Sequence, residues 1–358
     1  MSDSYEITGY EHRYKDQVAE LQVHLWGPDV RRNKQYLEWK HHANPYLDQP
    51  LLYLALQGEK LVGMRGMFGA RWQVDSQEWV IPCAGDLVVL PEHRNRGLIT
   101  QIMKFAFEDL AHRGYEYIFN LSAGPTSHLG SLAMGWRAIG SLEQKDRTRY
   151  RALLPALIRR GSRLTGIPAA PFLVFDILSR KRSHAGVSVL PYPKPQAMAD
   201  LVARLGTDGR IRHVRDETYF SWRYRNPRWR YRFLFCERDG LSGYLVLGVE
   251  TGTWRVRILD WEATSAGVRG DLLNAALSWG MFTHLSVWTV SESQETKAIL
   301  EGRGFVSEGS RASLAEPRDT VLVRSVDPGK RPDDWMLAGR RILDVRNWDL
   351  REIYSDGS

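Results

Sequence analysis

A motif that occurs twice constrains this chain most. Tyr36-Leu37-Glu38-Trp39-Lys40 leads to Asn44-Pro45, and Tyr219-Phe220-Ser221-Trp222-Arg223 leads to Asn226-Pro227, with the two tryptophans 183 residues apart. The same pattern follows each copy. In the first, apolar runs at 51–56 and 61–68 flank a Gly58-Glu59 turn; in the second, runs at 233–236 and 243–249 flank Asp239-Gly240. Strand-length runs around such turns read as hairpins. A third strand then ends on an acid, Asp86 or Asp260, a helix follows, and the copies close on Met134-Gly135-Trp136 and Arg303-Gly304-Phe305. Elements repeated in this order predict two equivalent domains rather than one large core.

Composition bounds the class. With 43% hydrophobic and 25% charged residues among 358, the chain reads as soluble and globular. No apolar run approaches the roughly 20 residues that span a bilayer, and Met-Ser-Asp-Ser-Tyr-Glu is neither a signal nor a transit peptide, so the expected location is cytoplasmic. Two cysteines, Cys83 and Cys236, are too few for a disulfide framework or a structural zinc site, and no metal is expected. A formal charge of +7 favours an anionic partner without choosing one.

One stretch points to chemistry. Leu87-Val88-Val89-Leu90 breaks at Pro91 into Glu92-His93-Arg94-Asn95-Arg96-Gly97, after which Ile99, Ile102, Met103, Ala106, Phe107 and Leu110 recur at helical spacing. A strand feeding a basic, Gly-containing turn at a helix N-terminus offers backbone N–H groups and the positive end of the helix dipole to an anion. The order Val-x-x-Pro-Glu-His-Arg-Asn-Arg-Gly-Leu-Ile resembles the acyl-CoA motif of the GNAT acyltransferase superfamily, Arg/Gln-x-x-Gly-x-Gly/Ala. Arg94 and Gly97 fit it; Ile99 stands where Gly or Ala is usual. A strand at 115–120, a helix opening at Pro125-Thr126-Ser127 and the Gly135-Trp136 turn extend the resemblance.

The resemblance implies an α/β (α+β) architecture of two tandem GNAT-like domains, each a mixed, largely antiparallel sheet flanked by helices. Residues 1–150 form the expected CoA-binding catalytic domain and 151–194 a basic linker or lid carrying Arg151, Arg159, Arg160, Arg163, Arg180, Lys181 and Arg182. Residues 195–326 form a second domain without the CoA motif, and 327–358 a tail packed on a domain. The implied co-substrate is acetyl-CoA or another acyl-CoA, held by Leu87, Val88, Val89, Arg94, Asn95, Arg96, Gly97, Leu98 and Ile99. An amine must lose a proton before it attacks a thioester. Asp86, on the strand that carries the thioester-binding amides, is the first candidate base, and His128 the alternative. Residues 126–136 contain no tyrosine to protonate the departing thiolate, which leaves Ser127, Ser131 or water.

For the acceptor, the resemblance is to bacterial sugar N-acyltransferases of surface-polysaccharide pathways and implies a primary amine on a nucleotide-linked sugar. Its phosphates are expected against the arginine block 210–232, with Arg223 and Arg230 as contacts and Asp260 reaching an acceptor lodged between the domains. Alternation of arginine with Trp, Tyr and Phe from Trp229 to Phe235 equally suits a half-buried strand. Two other readings compete. Fem-type aminoacyl-tRNA-dependent transferases are also tandem GNAT folds, although the intact cradle does not favour a nucleic-acid partner. A non-catalytic binding protein on the same fold is the other, since a fold alone never proves activity. Oligomeric state is not legible.

Overall fold

The computed structural model describes residues 4–148, 171–179, 186–251, 253–280, 282–307 and 320–355. The first half runs β1 (Glu6–Gly9), α1 (Lys15–Leu21), α2 (Val23–Trp26), α3 (Val30–Leu37), a π-helical turn (Glu38–His42), β2 (Leu51–Gln57), β3 (Lys60–Val74), β4 (Gln77–Val89), α4 (Leu98–His112), β5 (Tyr117–Ala123), α5 (Pro125–Ala133) and β6 (Arg137–Ser141). The second runs β7 (Gln144–Thr148), α6 (Pro171–Ser179), β8 (Val187–Leu190), α7 (Pro195–Leu205), β9 (Arg212–His213), α8 (Glu217–Arg223), β10 (Trp229–Glu237), β11 (Leu241–Glu250), β12 (Arg255–Ala263), α9 (Ala266–Trp279), β13 (His284–Trp288), α10 (Gln294–Glu301), β14 (Val306–Ser307) and β15 (Thr320–Ser325). The seven basic residues of 151–182 singled out above lie outside the described residues.

Among the described residues, one sheet has the order β1-β2-β3-β4-β5-β15-β6, with β9 added to β3, and the other β8-β10-β11-β12-β13-β7-β14. Position by position the two orders match, and each has a parallel pair at its centre, β4 with β5 and β12 with β13. The sixth strand is exchanged. β15 inserts between β5 and β6, and β7 inserts between β13 and β14, so neither sheet is completed by its own half of the chain. The limits expected at 150 and 326 assign each of these strands to the other domain, and β8, counted with the linker, is an edge strand of the second sheet. The Gln-Lys-Asp-Arg-Thr run of β7 carries no apolar residue to signal which core it joins.

Packing follows the sheets. Helix α4 lays Ile102, Ala106 and Leu110 on one face of the first sheet, and α1 and α3 cover the other face with Val18, Leu21 and Leu37. In the second domain, α9 and α6 bury Leu272, Leu273, Phe172 and Phe175. The domains share a core as well. A continuous apolar cluster runs from Trp72 and Phe119 through Tyr219, Phe220 and Trp222 to Phe233 and Tyr244, and takes in Trp348, Ile353 and Tyr354 from the end of the described chain. The repeated motif sits at its centre. Trp39 Nε1 donates to Trp222 O and Trp222 Nε1 donates to Trp39 O, both at 2.9 Å, with the rings stacked at 5.2 Å. Such reciprocity, residue i to j and j to i, is what a two-fold relation produces. No helix among the described residues is long and apolar enough to cross a membrane.

Candidate active site

A bulge opens the site. Arg65 pairs with Leu87 and Gly66 with Gly85, which leaves Asp86 as an extra residue on β4, in the left-handed region at φ +43°. Bulges bend a strand and increase its twist. After the Cys83–Phe119 pair, β4 and β5 part, and the gap becomes a cavity of about 720 Å³. Its walls are Arg65, residues 84–89 and Asn120 from the strands, His93, Arg94, Asn95, Gly97, Leu98 and Ile99 from the turn, and His24, Leu25 and Trp26 from α2. Leu90 N donates to Val62 O at 2.9 Å, so antiparallel alternation turns the polar groups of Val88 to β3 and those of Leu87 and Val89 to the open side. The Val89 carbonyl there accepts from Arg94 Nε at 3.1 Å.

The turn ends in a cradle. Asn95 and Gly97 are left-handed, at φ +59° and +72°, and Gly97 is the N-cap of α4. Gln101 N donates to Gly97 O at 3.1 Å, so helix geometry leaves the Leu98, Ile99 and Thr100 amides without an intrahelical acceptor. A Cβ on Gly97 would meet nothing within 4 Å, which makes this an open concavity. Ile99 lines the cavity at its rim and is partly exposed to solvent. Arg96, unlike the other residues expected to hold the cofactor, does not line the cavity; it donates to Tyr5 OH at 3.1 Å, and His93 Nδ1 lies 3.0 Å from the same hydroxyl.

Asp86 is fully engaged. Trp26 Nε1 donates to its Oδ1 at 3.0 Å; Lys40 Nζ at 3.0 Å and His41 Nε2 at 3.2 Å reach Oδ2. The carboxylate, the ammonium and the imidazole are all buried. Burial by itself would raise the Asp86 pKa, but Lys40 and His41 more than cancel it and hold the group well below the usual carboxylate range. Burial also lowers the His41 pKa, so its imidazole is neutral, with Nε2–H toward Asp86 and Nδ1 without a hydrogen-bond partner. Gly66 permits this crowding: a Cβ there would lie 3.1 Å from Asp86 Cβ and 3.2 Å from His41 Cε1. Sequence reasoning missed Trp26, Lys40 and His41 as partners. Lys40 stood inside the repeated motif, but nothing local ties it to an aspartate 46 residues on.

Other expected residues fall elsewhere. His128 and Ser131 lie on α5 and do not line the cavity. Arg223, expected to meet an acceptor, is buried and donates from Nε to Ile353 O at 2.7 Å and from Nη2 to Ser355 O. Asp260, expected beside the acceptor, is buried among Arg215, Tyr244 and Arg351. These two expectations are corrected by the same segment. β12 and β13 pair as far as Ile258–Val287, and beyond that point Arg351 donates to Trp261 O at 2.9 Å and pairs with Glu262 at 2.8 Å, so residues 348–355 fill the place where an acceptor was expected. Arg228 and Arg232 pair with Glu250 and Asp176, and Arg230 is exposed.

Residues 7–127 match the family described as Acetyltransferase (GNAT) domain. The match lies within the first domain and says what that domain is similar to. Solved structures extend the fold to the tandem chain. A GCN5-related N-acetyltransferase from Anabaena variabilis ATCC 29413 superposes with a TM-score of 0.59 at 13% identity, over 90% of this chain and 73% of that one. A protein from Enterococcus faecalis V583 described as a probable N-acyltransferase gives 0.59 at 11%, with the same 90% and 73%. A tandem GNAT protein from the clavulanic acid biosynthesis pathway gives 0.53 at 15%, over 91% of this chain and all of its own. Among curated proteins no sequence matches. At such identities the likeness is one of fold, and the GNAT chemistry is argued from the cavity.

Proposed function

We propose that the GNAT domain transfers an acyl group from an acyl-CoA to a primary amine in the cavity between β4 and β5. One observation carries this reading: a single cavity joins an open helix N-terminus to a splayed strand whose Leu87 and Val89 polar groups face away from β3. The Leu98, Ile99 and Thr100 amides suit a pyrophosphate. The strand amides suit the pantetheine arm and the thioester oxygen on which charge builds. The amine comes in beside Trp26 and His24, where Asp86 meets the cavity. Its attack forms the C–N bond and breaks the C–S bond. The ammonium proton leaves through water and solvent protonates the thiolate, because Asp86 is too well stabilised as an anion to keep a proton. Asp86, ionised and paired with Lys40, instead fixes the cavity wall beside which the amine is held.

For the acceptor we retain only the primary amine. A nucleotide-linked sugar would need arginines free to meet its phosphates beside the cavity; Arg223, Arg228 and Arg232 are engaged with partners within the chain, and the exposed Arg230 does not line the cavity. Calorimetry with acetyl-CoA is expected to give one site per chain, lost in Gly97→Glu, which sets a carboxylate where the phosphates bind. Two equivalent sites, or undiminished binding by the variant, overturn the reading. Thiol release with a panel of primary amines, UDP- and dTDP-amino sugars among them, then identifies the acceptor.

A further inference from the structure

The second domain lacks the CoA motif in its sequence, yet it grips both segments that hold Asp86. Arg228 places its guanidinium 4.5 Å from the centre of the Trp26 ring and donates from Nη1 to Trp26 O at 3.0 Å. Trp26 is the residue whose indole bonds Asp86 Oδ1. On the other side, Trp222 stacks on Trp39 and exchanges indole-to-carbonyl hydrogen bonds with it, next to Lys40 and His41, which bond Oδ2. Each carboxylate oxygen is therefore one residue, or one side chain, removed from the second domain.

We propose that the second domain acts as a clamp on the first domain's acyl-transfer site, with Arg228 and Trp222 as positioning residues that fix Asp86 through Trp26 and the Trp39–His41 turn. The proposal rests on the acyl-transfer reading above.

Three properties support it. Asp86 has a left-handed backbone without being glycine, a conformation that persists only where the surroundings over-determine it. Its donors come from the last residue of α2 and from the π-helical turn that ends α3, the ends of two helical segments where backbone geometry is held least by the helix itself. Arg228 is itself fixed, bonded to Glu250 and with its own amide donating to Asn226 Oδ1 at 3.0 Å, so it can act as a rigid strut. A guanidinium that faces a ring and also bonds that residue's carbonyl constrains both tilt and height of the indole. The duplicated Asn-Pro motif thereby has a use that the lost cradle does not explain.

The test uses the full chain with Arg228→Met and Arg228→Lys, read by the Trp26 indole N–H resonance, assigned through Trp26→Phe, and by steady-state kinetics with acetyl-CoA. Arg228→Met is expected to shift or split the Trp26 resonance and to lower kcat about tenfold, with the KM for acetyl-CoA within about twofold of wild type. Arg228→Lys, which keeps a cation over the ring, recovers most of both. A folded Arg228→Met with wild-type kcat, or with an unmoved Trp26 resonance, overturns the clamp. Should Arg228→Met not fold, Trp222→Phe keeps the stack and removes the bond to Trp39 O; the same fall in kcat supports the clamp and an unchanged kcat overturns it. The indole signal is read without substrate, so a failure of acetyl-CoA to bind strikes the acyl-transfer reading while the resonance still judges the clamp.

Discussion

Asp86 and Lys40 form a buried pair whose consequences are opposite for the two single substitutions. Because the folded pKa of Asp86 is depressed, its carboxylate is ionised throughout the working range and contributes stability that is lost only as pH falls through the folded value. The wild-type kcat profile should therefore carry no acid limb from this group. Lys40→Met removes the main opposition to burial, the carboxyl pKa rises, and an acid limb appears that is absent again in Lys40→Met with Asp86→Asn. A wild-type acid limb abolished by Asp86→Asn alone would return Asp86 to the role of general base. Asp86→Asn also takes the counter-charge from the buried Lys40 ammonium, which should cost about 3–5 kcal/mol in chemical denaturation. The acid itself was legible as the end of a strand. Its chemistry was not, since the donors that set its pKa lie 45 to 60 residues away in sequence.

The exchanged strands make each sheet dependent on the other half of the chain. A fragment of residues 1–150 lacks β15, whose Val321, Leu322 and Val323 are fully buried, and leaves β5 and β6 with facing unpaired edges. Such edges recruit other chains. We expect this fragment to elute as aggregate in size-exclusion chromatography and to become soluble, with acetyl-CoA binding, when co-expressed with residues 151–358 carrying an added copy of β7. A monomeric 1–150 that unfolds cooperatively and binds acetyl-CoA would show that the exchange is dispensable. Hairpins and α4 were readable because their patterns span a few residues. Strand order was not, because a short strand says nothing about which neighbour completes it.

At the scale of the molecule, the shared core contains an acid-sensitive group. His213 lies between Trp72 and Tyr354, with ring centroids at 4.2 and 4.0 Å, and neither ring nitrogen has a hydrogen-bond partner. Burial, reinforced by Arg223 and Arg215, keeps its pKa well below the usual histidine range. The unfolded chain, with a histidine pKa of about 6.5, takes up the proton first as pH falls. Stability is thus full above about pH 6.5 and declines below it, by about 1.4 kcal/mol per pH unit for each such group. His41 acts in the same direction. His213→Phe keeps a ring against Tyr354 and should lower that slope by about one proton, measured as urea midpoints between pH 5 and 6.5. An identical slope in the variant would mean that His213 does not couple titration to folding.

The sequence by itself determined the duplication, the order of hairpin, strand and helix in each half, and the strand-turn-helix that became the cradle. Each is written in local chemistry: apolar period, a Pro that stops a strand, a Gly that tolerates φ +72° at a helix N-cap. Only the tertiary structure decided that the sixth strands are exchanged, that residues 348–355 fill the second domain beside β12, that Arg223, Arg228 and Arg232 are engaged inside the protein while Arg230 is exposed, and that Asp86 is a locked anion. Those outcomes depend on which distant groups are desolvated together, and a buried charge takes whatever partner the packing brings within hydrogen-bond reach, a choice that no local pattern encodes.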